Sequence, residues 1–132
     1  MATVNASISI ASDITDSSIG IANTSSLFTA GTTTGLTTMT SVTKVLSSTT
    51  QADLITTGSV STTHAFVYIN NPSADHTECF KITIGAVDGA EVEEIGRLYG
   101  GDFMFFPWDV DDDITVIPSV ATDMTIEFQV FS

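Results

Sequence analysis

The sequence predicts an all-β fold: a small antiparallel β-sandwich, jelly-roll-like, behind an extended Thr/Ser-rich N-terminal arm. Three observations point there. Met124, Ile126, Phe128 and Val130 alternate strictly with Thr125, Glu127 and Gln129, the period-two pattern of a strand with one buried face. Short apolar runs are punctuated by turn residues every ~8–12 positions, and no helix-period stripe or βαβ spacing interrupts them. Composition also breaks near residue 62. Of eight Phe, two Tyr and one Trp, only Phe28 precedes the break, and only Asp13, Asp16 and Asp53 of the 16 acidic residues do. The expected division is therefore an arm or strand region over residues 1–62 and a sandwich domain over residues 63–132.

Taken in order, Val4, Ala6, Ile8 and Ile10 alternate with Asn5, Ser7 and Ser9, which reads as a half-buried strand, and residues 18–21 repeat the pattern weakly. Residues 23–50 are dominated by Thr and Ser, good strand and poor helix residues, with Gly31 and Gly35 as turns. Within them residues 36–46 are the best strand, and residues 51–57 suit one short helical turn. Ala65, Val67 and Ile69 alternate with Phe66 and Tyr68, apolar on both parities, so this strand is expected to be covered on both faces. Asn70-Asn71-Pro72-Ser73 ends it, because Pro removes a donor and Asn favours turns. Phe80, Ile82 and Ile84 mark the next strand, and Asp88-Gly89 signals a hairpin beyond it. Glu91, Glu93 and Glu94 around Val92 and Ile95 mark a solvated edge. Gly100-Gly101 turns into Phe103-Met104-Phe105-Phe106, which Pro107 closes. An acidic loop from Asp109 to Asp113 and a short strand from Ile114 to Ile117 precede the final strand. Six or seven strands are expected in all.

The formal net charge is −13, with Lys44, Lys81 and Arg97 the only Lys or Arg. So few cations exclude a nucleic-acid partner and argue against an anionic membrane surface. Cys79 is the single cysteine, read as a small buried apolar residue with no disulfide. No basic region followed by an apolar stretch marks a leader, and no run approaches the ~18 apolar residues of a membrane helix.

Chemistry is sparse. His64 and His76 sit at strand ends, outside any nucleophile turn, so no catalytic residue is assigned and the chain is read as not an enzyme. His76, Glu78 and Cys79 lack the repeated spacing of a zinc site. Asp109, Asp111, Asp112 and Asp113 are weak cation candidates. The EF-hand pattern fails because Ile114 stands where its glycine is needed, so the default is an exposed charged turn. No phosphate cradle is present, and no cofactor is expected. Phe103, Phe105, Phe106 and Trp108 form a dense aromatic stretch, read first as an internal core strand. The alternatives are one parity covered by a neighbouring subunit, or a sugar-stacking Trp108.

The second half resembles small structural proteins of tailed bacteriophages, of the capsid decoration (cement) type. The resemblance lies in Phe66-Val67-Tyr68-Ile69-Asn70-Asn71, a Lys-Ile-Thr-Ile strand at 81–84, a Gly-Gly-Asp-Phe turn with a proline close behind (98–107), and an Ile-Glu-Phe-Gln-Val-Phe end strand at 126–131. It covers about half of the chain. It implies a β-sandwich that binds the outer surface of an icosahedral shell, with the major capsid protein and its own copies, as a homotrimer, for partners. It also implies assembly in a host cytoplasm into the virion, and it transfers no catalytic residue. A tail, neck or fibre component, or a carbohydrate-binding adhesive module, is the alternative.

Overall fold

A computed structural model describes residues 3–12 and 19–132. They form two compact units, residues 1–37 and 38–132, with residues 1–2 and 13–18 outside the description.

The first unit is a β-hairpin. β1 (Val4–Ser12) pairs antiparallel with β2 (Ile19–Leu27), in a register running from Val4 opposite Leu27 to Ser12 opposite Ile19. The alternation seen in the sequence sorts this ladder into two faces. On one, Ser7 Oγ lies 3.0 Å from Thr24 Oγ1, and Ser26 Oγ donates to Asn5 Oδ1 at 2.8 Å. The other carries Val4, Ala6, Ile8 and Ile10, of which Ile8 and Ile10 remain 45% and 50% exposed. A tight turn follows, in which Phe28 bridges Gly35 and Thr29 N–H donates to Thr34 O at 2.8 Å.

The second unit is the sandwich. Its strands are β3 (Met39–Leu46), β4 (Ala52–Ile55), β5 (His64–Asn70), β6 (Cys79–Ile84), β7 (Glu93–Tyr99), β8 (Phe103–Asp109), β9 (Ile114–Pro118) and β10 (Met124–Phe131). One sheet has the order β3-β10-β5-β8 and the other β4-β9-β6-β7, with every pairing antiparallel. The chain changes sheet at each step except between β6 and β7. Eight strands threaded this way make a jelly roll. Inward residues of both sheets share one core, including Val67, Ile69, Phe80, Ile82, Ile114 and Ile126, all at 0% exposure. Burying each such side chain is worth roughly 1.5–3 kcal/mol. Every buried member of this core lies between Leu54 and Val130, so the sandwich is filled by its own residues.

Two turns anticipated from sequence lock one another. Asn71, fully buried, donates from Nδ2 to Leu98 O (3.0 Å) and accepts Ser73 N–H at Oδ1 (3.1 Å). Its backbone pairs with the Gly-Gly-Asp turn: Asn71 N–H donates to Asp102 O (3.0 Å), and Gly101 N–H donates to Asn71 O (2.9 Å). The glycines are required here. Gly101 adopts φ +87°, and a Cβ on Gly100 would strike the carbonyls of Asp75 and Ser73.

Several expectations are corrected. The sandwich begins at residue 38 and not at 63, because β3 and β4 are edge strands of its two sheets; what precedes them is a hairpin, not a 62-residue arm. Ser41 and Thr43 face outward while Val42, Leu46, Leu54 and Ile55 supply the core, so few large side chains suffice for an edge strand. Residues 52–55 are strand and not helical; a 3₁₀ turn follows at Thr57–Ser59. Asp88-Gly89 does turn the chain between paired β6 and β7, with Gly89 N–H on Ala86 O (2.9 Å), but inside a longer loop. β8 runs through Pro107, and eight strands build the sandwich where six or seven were expected.

Candidate interaction surface

Strand parity decides where the aromatic residues go. Along β8, Met104, Phe106 and Trp108 turn into the core, while Phe103 and Phe105 stay on the outer face, 58% and 41% exposed. Register continues that face across the sheet: Phe105 lies opposite Tyr68, Phe103 opposite Asn70, and Pro107 opposite Phe66. On the far side of β5, Phe66 faces Phe131 and Tyr68 faces Gln129; Phe131 in turn faces Met39, itself 61% exposed. The rings pack as pairs. Phe66 and Phe105 stack with centroids 6.0 Å apart and planes 7° off parallel, and Tyr68 and Phe103 lie 5.9 Å apart at 37°. His64 meets the edge of Phe66 at 5.1 Å. The outer face of β5 and β8 is thus an aromatic platform, bordered by Glu127, whose Oε2 accepts Asn70 Nδ2–H at 3.1 Å.

Reading β8 as an internal strand fails for one of its two faces, and β5 is likewise covered on only one. The missed signal was in the last strand. Thr125, Glu127 and Gln129 lie on the face that Phe66, Tyr68, Phe103 and Phe105 share, and an outward polar parity there makes its neighbours' parity outward too. Trp108 is not a sugar-stacking residue. It is 4% exposed, and its Nε1 donates to Asp112 O at 3.0 Å, tying the core to the acidic turn.

The four aspartates of that turn diverge. Asp109 Oδ1 lies 3.2 Å from His64 Nδ1, and Asp113 Oδ1 accepts Thr57 N–H at 2.7 Å, while Asp111 and Asp112 are exposed. His76 Nδ1 approaches Gly100 O at 2.6 Å, and Cys79 is buried. Among the described residues, no three His, Cys, Asp or Glu side chains converge as a metal site. A half-open cleft of about 300 Å³ lies between β3 and β4, lined by Val42, Leu54, Phe128 and Val130; Lys44 Nζ donates to Asp53 O at 2.6 Å beside it. The cleft lining includes no histidine or cysteine.

Charge is concentrated on other surfaces. On the outer face of β6 and β7, Glu94 accepts Arg97 Nε–H at 2.8 Å and lies 3.6 Å from Lys81 Nζ; the Arg97 hydrogen bond holds its carboxyl below the usual range. Asp75 is lowered by the Thr77 hydroxyl and then by the Thr77 backbone N–H. Both carboxylates are fixed by local partners and not by a cleft.

No protein-family model matches the chain, and no curated protein or solved structure does so either.

Proposed function

We propose that this chain is a virion structural protein that decorates and stabilises a capsid by binding the outer surface of the shell. The observation that carries the reading is the aromatic platform on β5 and β8. A folded jelly roll that leaves Phe103 and Phe105 uncovered has a surface built for contact with protein, where aromatic residues concentrate binding energy. The jelly roll is itself shared by capsid and lectin domains, so the fold alone does not choose, and the phage assignment rests on the strand-and-turn resemblance of the second half. Carboxylates outside the platform keep a −13 chain soluble before assembly.

The copy number of the chain relative to the major shell protein, by quantitative mass spectrometry of purified particles, tests this. Hundreds of copies per particle are expected. A dozen or so would move the chain to neck, tail or fibre, and absence from particles would remove it from the virion. The exposed rings favour one second reading, a glycan-binding module, because flat aromatic faces also stack on sugars. Binding to a glycan array that is lost in Phe103→Ala and Phe105→Ala would select it.

A further inference from the structure

Among the described residues, each compact unit leaves an apolar surface uncovered. The first is the Ile8 and Ile10 stripe of the hairpin. A two-stranded hairpin is only marginally stable in water, and while Leu27 opposite Val4 is buried, Ile8 and Ile10 further along the same face are left half-exposed. The second is the platform of Phe66, Tyr68, Phe103 and Phe105. We propose that the hairpin of one copy lays its aliphatic stripe on the β5–β8 platform of a second copy, so that like chains associate through this single repeated contact.

Three features choose that occupant. Dimensions agree: two nine-residue strands span about 30 Å by two strand widths, against the about 24 Å and two strand widths of the seven-residue β5–β8 pair. Charge agrees as well. Residues 38–132 hold fourteen of the 16 carboxylates and all three Lys and Arg, a net −11, so sandwich faces from like copies repel. Residues 1–37 hold Asp13 and Asp16 as their only charged side chains, a net −2, so the hairpin is the element that approaches another copy against the least repulsion. Strand geometry then makes the contact face to face. β8 ends its sheet, but Pro107 deprives it of a donor, which disfavours adding a strand there.

One such junction covers about 230 Å² of footprint, set by the shorter platform, less than a standard interface, so association is expected to be weak and concentration-dependent. Because hairpin and platform differ, the contact is heterologous: it can close a ring, or be exchanged twice in a dimer. This goes beyond the capsid reading and stands apart from it, since it is measured on the isolated chain.

The experiment is sedimentation equilibrium from about 1 µM to about 1 mM. The full chain is compared with a stripe variant (Ile8→Ser, Ile10→Ser), a platform variant (Phe103→Ser, Phe105→Ser), and their equimolar mixture. The expected result is self-association weakened at least tenfold in each variant alone. The mixture should recover a heterodimer, since it pairs an intact hairpin with an intact platform. Trp108 fluorescence on urea titration checks that each sandwich is folded. A wild-type chain that stays monomeric overturns the proposal, as does a platform variant that associates like wild type, or a mixture of two folded variants that stays monomeric.

Discussion

Asn71 is the side chain on which the jelly roll's turns depend, and replacing it gives a sharp test. Asn71→Ala removes two hydrogen bonds, to Leu98 O and from Ser73 N–H, each worth about 0.5–1.5 kcal/mol net. It also leaves a carbonyl beside a fully buried site without that donor, which costs about 1–3 kcal/mol more. Because the Asn71 backbone still pairs with Gly101 and Asp102, part of the turn survives, and a loss of about 3 kcal/mol is expected. With a urea slope of about 2 kcal/mol/M, the midpoint falls by about 1.5 M. Asn71→Asp separates the hydrogen bonds from packing. At neutral pH it places a carboxylate, dry, against Leu98 O, and is expected to be worse than alanine. Burial and the facing carbonyl raise this carboxyl in the folded state above its unfolded value near 3.9. The penalty is therefore absent below that value and appears as pH rises through the folded one. Below about pH 4 the protonated acid donates to Leu98 O and recovers most of the loss. Trp108, buried in the core, reports unfolding by its fluorescence. An alanine variant within about 0.5 kcal/mol of wild type would refute the argument, as would an aspartate deficit that is the same at pH 3 and pH 7.

Gly100→Ala should be at least as damaging, by about 2–4 kcal/mol, since the added methyl meets the fixed carbonyls of Asp75 and Ser73; a urea midpoint unchanged in this variant would count against the tight turn. Thr115→Val removes a buried hydroxyl that donates to Gly85 O (3.1 Å), lies 2.6 Å from Thr83 Oγ1 and accepts Gln51 Nε2–H (2.8 Å). A loss of about 1–3 kcal/mol is expected, and the Thr83→Val, Thr115→Val double variant should cost less than the sum of the two single changes. Additivity in that cycle would show the hydroxyls to be independent. Asp75 has a lowered folded value, so its contribution is present above the unfolded value near 3.9 and lost as pH falls through the folded one. The small midpoint deficit of Asp75→Asn should therefore vanish in acid, and a deficit that persists at pH 2 would contradict the Thr77 hydrogen bonds.

The all-β class and most strands were legible because apolar residues recur with strand period: β10 can be read residue by residue from Met124–Phe131. The start of the sandwich was not, because edge strands β3 and β4 supply the core with only Val42, Leu46, Leu54 and Ile55, and β3 lies inside a Thr- and Ser-rich run that reads as low complexity. The platform was half legible. Aromatic density between Phe103 and Trp108 was plain, but which parity faced out depended on register with β5 and β10, a long-range property that local pattern does not carry. The mutual lock of the Asn71 and Gly100-Gly101 turns was hidden for the same reason: each is ordinary turn chemistry alone, and only the fold sets them together.

The sandwich begins and ends at one place, where Thr38 N–H donates to Ser132 O (2.8 Å) and Ser132 N–H donates to Thr38 O (2.9 Å). These residues cap the ladder of β3 with β10, whose antiparallel bonds run across the strands. A pull that draws residues 38 and 132 apart therefore meets those bonds one at a time, as a zipper, instead of loading the whole ladder in shear. Tension entering through the hairpin and leaving through the last residue would peel β3 first, and Val42 and Leu46 with it, long before the core around Phe80 felt any force.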